Sequence, residues 1–335
     1  MASKKTTKKT SKKARALTPA VRYLRYELTN HETPGTETSH YFDLARDLSL
    51  INRRMYRQGK QYHVKSIRVT TSNTIAGIGG AEGLLGLGSV SLAQQNAGRI
   101  SVGVIPNGWV SQMAWKRSFN VWQRMQNEVL KQTSGNITAK WSDFKVHLSD
   151  DSRTAAQTRI MDNGGNNYLL GEWNYSDMVT PDGTTGEDQF SLHMLGDHNG
   201  GAGARVSVGL IKSFGDSRAT VNSNVPNVPG DFSEDPLLNV FDYGTTIDEV
   251  ADLIEGENDN PPYDIDDYPG ADANGPKPLA ILESSISDGR TSLPGFVALC
   301  GLVELEITSP IADDIYSVIF ELAPGKYRGV KAEVI

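Results

Sequence analysis

Apolar residues in this chain recur at every second position, in short runs, again and again along its length. In residues 99–106, RISVGVIP, the side chains of Ile100, Val102 and Val104 fall on one face. Residues 62–71, YHVKSIRVTT, set Val64, Ile67 and Val69 among charged neighbours. A period of two is the signature of an extended strand with one face buried. Residues 40–48, 144–148, 190–195, 204–211, 279–286, 297–307 and 314–323 read the same way, which makes about nine strands. The separators are long and rich in Gly, Asn, Asp and Pro, the residues that turn a chain. The pattern predicts an all-β sandwich with elaborate loops. A chain of 335 residues is long enough to bury a full core.

One long helix interrupts the strands. Over residues 109–132, Trp115, Phe119, Trp122, Gln126 and Val129 line one face at a spacing near 3.6. Asn107 is a candidate cap and Gly135 a candidate stop. The expected role is a helix packed across an open sheet edge or between subunits. A second, weaker helical pattern covers residues 246–255.

Motifs for catalysis are missing. The glycine-rich stretch 77–89, GIGGAEGLLGLGS, fits neither G-x-G-x-x-G nor G-x-x-x-x-G-K-[ST], and it leads toward a strand rather than a helix. It reads as a loop. His193 and His198 are five apart, a spacing that does not put both rings on one helix face, and His193 reads as part of a sheet face. No G-x-S-x-G, H-E-x-x-H or C-x-x-C occurs. The single cysteine, Cys300, excludes an intramolecular disulfide and reads as an inert core residue of an apolar strand. The expectation is a protein that is not an enzyme. No stretch approaches the roughly 20 apolar residues of a membrane span, so no membrane insertion is expected. The lysine-rich start lacks the apolar core of a secretory signal. Folding in a reducing compartment is expected.

Charge is sharply segregated. Residues 1–26 hold nine bases, Lys4, Lys5, Lys8, Lys9, Lys12, Lys13, Arg15, Arg22 and Arg25, and no acid. The other 24 of the 33 bases face all 40 acids, so the rest of the chain carries −16. Residues 1–18 have almost nothing to bury and read as a disordered basic arm. Its lysines suit sequence-independent neutralisation of phosphates, and their clusters also fit a nuclear address. These nine residues are the candidate nucleic-acid contacts. At the other extreme, residues 231–274 carry 14 acids and no Lys or Arg. With the prolines near it, this stretch makes residues from about 215 to 278 read as an acidic surface loop or small projection. Residues 257–267, ENDNPPYDIDD, lack the EF-hand register, and calcium there is the one cofactor the sequence leaves open.

A disordered basic arm followed by a loop-rich sandwich is a layout suited to a shell that encloses nucleic acid. The chain resembles the capsid proteins of small circular Rep-encoding single-stranded DNA viruses of marine and environmental type. The resemblance lies in the lysine-rich start, in residues 48–69 (LSLINRRMYRQGKQYHVKSIRV), in 114–125 (AWKRSFNVWQRM), in 141–148 (WSDFKVHL) and in the end, 320–335. It touches much of residues 1–150 and the C-terminus, and 215–278 do not take part. It implies a single jelly roll over residues 19–335, self-assembly into an icosahedral shell and packaging of single-stranded DNA. It also implies residence in the virion, with the host nucleus as an assembly site. Some such coats resemble those of RNA viruses, which leaves the type of nucleic acid open. A non-viral protein that binds or condenses nucleic acid is the alternative, although a condenser would usually carry bases on its folded part too. An enzyme or sugar-binding sandwich with the tail as an address is the third class.

Overall fold

The computed structural model describes residues 19–71, 98–132, 141–180, 188–200, 205–219, 279–286 and 289–335. The tail through residue 18, the glycine-rich stretch, Gly135, the weaker helical pattern and the acidic stretch lie outside these residues. The chain first lays down β1 (Tyr23–Thr29), β2 (Glu37–Asp43), helix α1 (Leu44–Asn52), β3 (Lys60–Thr71) and β4 (Arg99–Val104). An inserted portion follows with α2 (Trp109–Gln132), β5 (His147–Ser149), α3 (Asp150–Thr154), β6 (Asp177–Thr180), β7 (Asp188–Leu195), β8 (Ser207–Gly209) and α4 (Leu210–Ala219). The chain then returns through β9 (Leu279–Ser285), β10 (Arg290–Leu293), β11 (Phe296–Leu299), β12 (Leu302–Thr308) and β13 (Ile315–Leu322). Short C-terminal strands close it: β14 (Pro324–Gly325), β15 (Gly329–Val330) and β16 (Ala332–Val334).

The outgoing and returning strands pair with one another. β1 pairs β13, β2 pairs β12, β3 pairs β10 and β11, and β4 pairs β9, all antiparallel. Two further pairings, β13 with β3 and β12 with β4, join these ladders into two sheets ordered β1-β13-β3-β10 and β2-β12-β4-β9. The inward side chains of the two sheets share one core. In β1, Leu24, Tyr26 and Leu28 are buried while Tyr23, Glu27 and Thr29 are exposed. Across the core, Tyr26 of β1 meets Phe42 of β2 edge-on at 4.7 Å between centroids, and both meet Phe320 of β13. The protein is mainly β, a sandwich of antiparallel sheets, as the alternation predicts.

Several segments depart from the sequence reading. Residues 40–48 are not one strand, for β2 ends at Asp43 and α1 begins at Leu44. Asp43 caps that helix by accepting the backbone N–H of Arg46 at 3.0 Å. Residues 297–307 are two strands in different sheets, joined by a tight turn at Cys300 and Gly301 with φ of 59° and 72°. Cys300 is buried as expected, but at this turn rather than within a strand. Within 204–211 the strand is brief, and α4 starts at Leu210.

The segments 144–148, 190–195 and 204–211 do not join the sandwich. Their strands form a separate sheet in which β5 and β8 flank β7 in parallel and β6 pairs β7 antiparallel. Alternation identifies a strand but does not name its partner. This sheet, α2 and α4 enclose a second core with Phe144, Met194 and Phe214, closed on the sandwich side by Tyr41, Leu299 and Leu302.

The long helix is anchored by its first half only. Trp115 is 7% exposed, and it stacks on Phe119 at 5.2 Å. Phe119 and Trp122 follow, and all three rings pack on Phe144 at 5.7–6.0 Å. Trp122 is only half-buried, Gln126 is exposed and Val129 is 56% exposed, because the second core reaches no further than Met125. The expected anchoring face is thus real for three residues and absent for the last two. Trp115→Ala should lose about 3–5 kcal/mol and Trp122→Ala about 1–2 kcal/mol, read by urea unfolding. Equal losses would mean that the helix is held along its whole length.

Candidate nucleic-acid interface

Of the nine basic residues singled out from the sequence, Lys4, Lys5, Lys8, Lys9, Lys12, Lys13 and Arg15 lie outside the described residues. Arg22 and Arg25 belong to the folded body instead of the tail. The Arg22 carbonyl accepts the Leu322 amide at 2.9 Å, extending the β1–β13 ladder, and Arg25 sits within β1 opposite Ile319. Both side chains are half-buried.

The chain enters the body at the C-terminal end of α1. Asn52 clamps Val21 through two bonds, accepting its N–H at 2.8 Å and donating to its carbonyl at 3.0 Å. Arg54 reaches the Pro19 carbonyl at 3.5 Å. The basic tail therefore attaches beside Arg53 and Arg54, within the acid-free run NRRMYRQGK of residues 52–60. Arg53 ends α1 in the left-handed conformation, φ 51°. Gly or Asn usually takes this position, and another L-residue there costs roughly 1–2 kcal/mol.

A cavity of about 310 Å³ opens at this corner. Its volume lies in the range of small-ligand pockets. Leu50, Met55 and Leu170 supply apolar lining, Trp141 and Trp173 supply aromatic walls, and Arg46, Arg53 and Arg54 supply charge. Trp141 is 58% exposed, and Arg53 and Arg54 are exposed. Glu172 is the one acid of the lining, and Asn174 donates to it at 3.1 Å.

A buried polar network sets this wall in place. Beyond capping α1, Asp43 accepts the side-chain amide of Gln58 at 2.8 Å, the indole N–H of Trp173 at 2.9 Å and the Tyr175 hydroxyl at 3.2 Å. Gln58 in turn bonds both backbone groups of Val146. Arg46, 5% exposed, donates to Asp47 at 2.9 Å, to Gln157 at 2.5 Å and to the Thr158 carbonyl at 2.5 Å. Tyr26 donates to Asp47 at 2.6 Å. Burial, then the negative charge of Asp47, pushes the Tyr26 hydroxyl well above its usual range, so it stays a donor. The network ties α1 to residues 143–176, and Arg46 is fully engaged in it as a structural group.

Some cations elsewhere on the described surface are met by acids. Lys65 and Arg68 converge on Glu321 at 2.6 and 3.5 Å, Arg99 pairs Glu283 at 2.8 Å, and Arg57 approaches Asp143 at 3.6 Å. Among the described residues, neither Arg53 nor Arg54 has a carboxylate within ion-pair distance. This corner thus presents two adjacent exposed guanidinium groups to an anion.

His147 and His193 are register partners on adjacent strands, and His193 Nε2 donates to the Asp197 carbonyl at 2.9 Å. Among the described residues, no group of three or more His, Cys, Asp or Glu side chains could hold a metal ion. Among them, too, no helix is long and apolar enough to cross a membrane.

Sequence reasoning missed Arg53, Arg54, Trp141 and Trp173. The acid-free run was a visible signal for the arginines. The tryptophans lie far along the chain, and only folding brings them to the same cavity. Compared with protein-family models, with curated proteins and with solved structures, the chain matches none.

Proposed function

We propose that this chain is a viral coat protein, whose sandwich is a single jelly roll and whose basic N-terminal arm binds packaged nucleic acid. The observation that carries the reading is the pairing of four outgoing strands with their returning counterparts, split between two facing sheets. A long antiparallel ribbon rolled on itself has this order, and the architecture recurs in capsid domains. The architecture alone also serves lectins and cupins. The arm separates these uses, since seven bases without an acid in residues 1–18 suit phosphates and not a sugar. The acidic remainder argues against a dedicated condenser, which would spread bases over its folded faces. In this reading the chain is not an enzyme, assembles with copies of itself into a closed icosahedral shell, packages single-stranded DNA without sequence preference, and resides in the virion after assembly in the host nucleus.

The test is negative-stain electron microscopy of the purified full-length protein together with its 260/280 nm absorbance ratio. Uniform closed particles with a high ratio are expected. Replacing Lys4, Lys5, Lys8, Lys9, Lys12 and Lys13 by Ala should leave folding intact and lower the ratio markedly. Small oligomers under all salt, pH and calcium conditions would overturn the coat reading, and an unchanged ratio in the lysine variant would overturn the role of the arm.

A further inference from the structure

We propose that the cavity between the end of α1 and residues 168–175 holds one nucleotide of a single strand, its base against Trp141 and Trp173 and its phosphate at Arg53 and Arg54. The inference rests on the coat reading and adds a second contact, on the folded body, to that of the arm.

Three observations carry it. First, the walls combine aromatic rings with exposed guanidinium groups, and among the described residues those groups have no acid of their own. Stacking on an aromatic side chain and charge along the backbone are the two means by which proteins hold single strands. A base inside a duplex cannot enter such a cavity, whereas an unpaired one can. Second, the Trp173 ring is fixed before any ligand arrives, because Asp43 holds its indole N–H at 2.9 Å. Asp43 is itself buried, 1% exposed, so turning the ring away gives up a buried hydrogen bond to a carboxylate. Third, the arm joins the body at the cavity mouth, where Arg54 meets the Pro19 carbonyl. A strand gathered by the arm is thereby presented to this cavity at high local concentration. Glu172 repels phosphate from its own side, which leaves Arg53 and Arg54 as the anion side.

The left-handed backbone of Arg53 provides a clean test. Gly is the residue best suited to φ 51°, so Arg53→Gly removes the guanidinium while relieving the backbone. Binding of a fluorescent oligodeoxythymidylate to the full-length protein is measured by anisotropy over a range of salt. Trp141→Ala should weaken binding about tenfold with an unchanged salt slope. Arg53→Gly should lower the salt slope by about one, with melting temperature retained or raised. A 5-iododeoxyuridine oligonucleotide should photocrosslink to the peptides that contain Trp141 or Trp173. Wild-type affinity and salt slope in both variants, or crosslinks confined to residues 1–18, would overturn the proposal. If the lysine variant alone loses binding, the cavity is refuted and the arm stands. If the wild-type protein fails to bind at low salt, both fall.

Discussion

Asp43→Ala should destabilise the protein by about 3–5 kcal/mol, more than any other single change to a polar residue described above. Asp43 is 1% exposed and accepts from Arg46, Gln58, Trp173 and Tyr175. Truncation takes this acceptor from the Gln58 amide and the Trp173 indole, leaves Tyr175 only Gln157, and uncaps α1 as well. The loss should not be spread evenly. Gln58, Trp173 and Tyr175 attach residues 141–180 to α1, so hydrogen exchange should speed up there before it does in the paired strands of the sandwich. Asp43→Asn keeps an acceptor oxygen and the volume, and should recover part of the loss. Urea unfolding and peptide-level exchange read both effects. A loss under 1 kcal/mol, or uniform exchange, would show that the network is not what joins the insert to the sandwich.

Acid should weaken the fold between pH 6.5 and about 4, before ordinary carboxylates titrate. His40 and His147 are both held down to about 4. Burial is the main cause for each, and Arg153 and then His193 add to it at His147. One buried nitrogen of each ring lacks a hydrogen-bond partner, Nε2 of His40 and Nδ1 of His147. Below pH 6.5 the unfolded chain takes up protons that the folded histidines refuse, so stability present at neutral pH is lost as pH falls toward 4. The distance from 6.5 to about 4 corresponds to at most roughly 3 kcal/mol per histidine. Asp47 and Asp143, raised by burial, act in the opposite sense, since their folded carboxyls take up protons more readily than the unfolded ones as pH falls. His147→Phe keeps a ring on Tyr175, now 3.8 Å away between centroids, and should flatten the slope. Urea midpoints measured from pH 7 to 4.5 check this, and a constant midpoint down to pH 5 would refute it.

The strands of the sandwich were legible because alternation is a local property. β1 and β10 were the exceptions: the alternating residues of β1 follow directly on the basic tail, and β10 carries a single apolar residue, Leu293. The pairing was not local. Nothing in residues 144–148 or 190–195 distinguishes a strand of the sandwich from one of the separate sheet. Residues 40–48 misled for another reason. Leu44, Ala45 and Leu48 satisfy a helical spacing while Tyr41 and Phe42 precede them, and only the cap at Asp43 separates the two patterns. At the candidate site the charge was visible and the shape was not. The arginines stand side by side in the sequence, but the rings that complete the cavity come from residues 141 and 173, and their placement depends on a buried aspartate that reads as one more polar residue in a strand.

Val104 and Leu279 are register partners on neighbouring strands, so the chain leaves the sandwich and re-enters it one strand spacing apart. For the frame, everything from residue 105 to 278 is topologically the tip of a hairpin. Such an interval can lengthen, shrink or be exchanged for another without shifting a single pair in either sheet, and closing a longer loop adds little entropy. The two parts are therefore under unequal constraint: the frame must keep its register, while the interval must keep only the contacts that seat it, the Asp43 network and the core closed by Tyr41, Leu299 and Leu302.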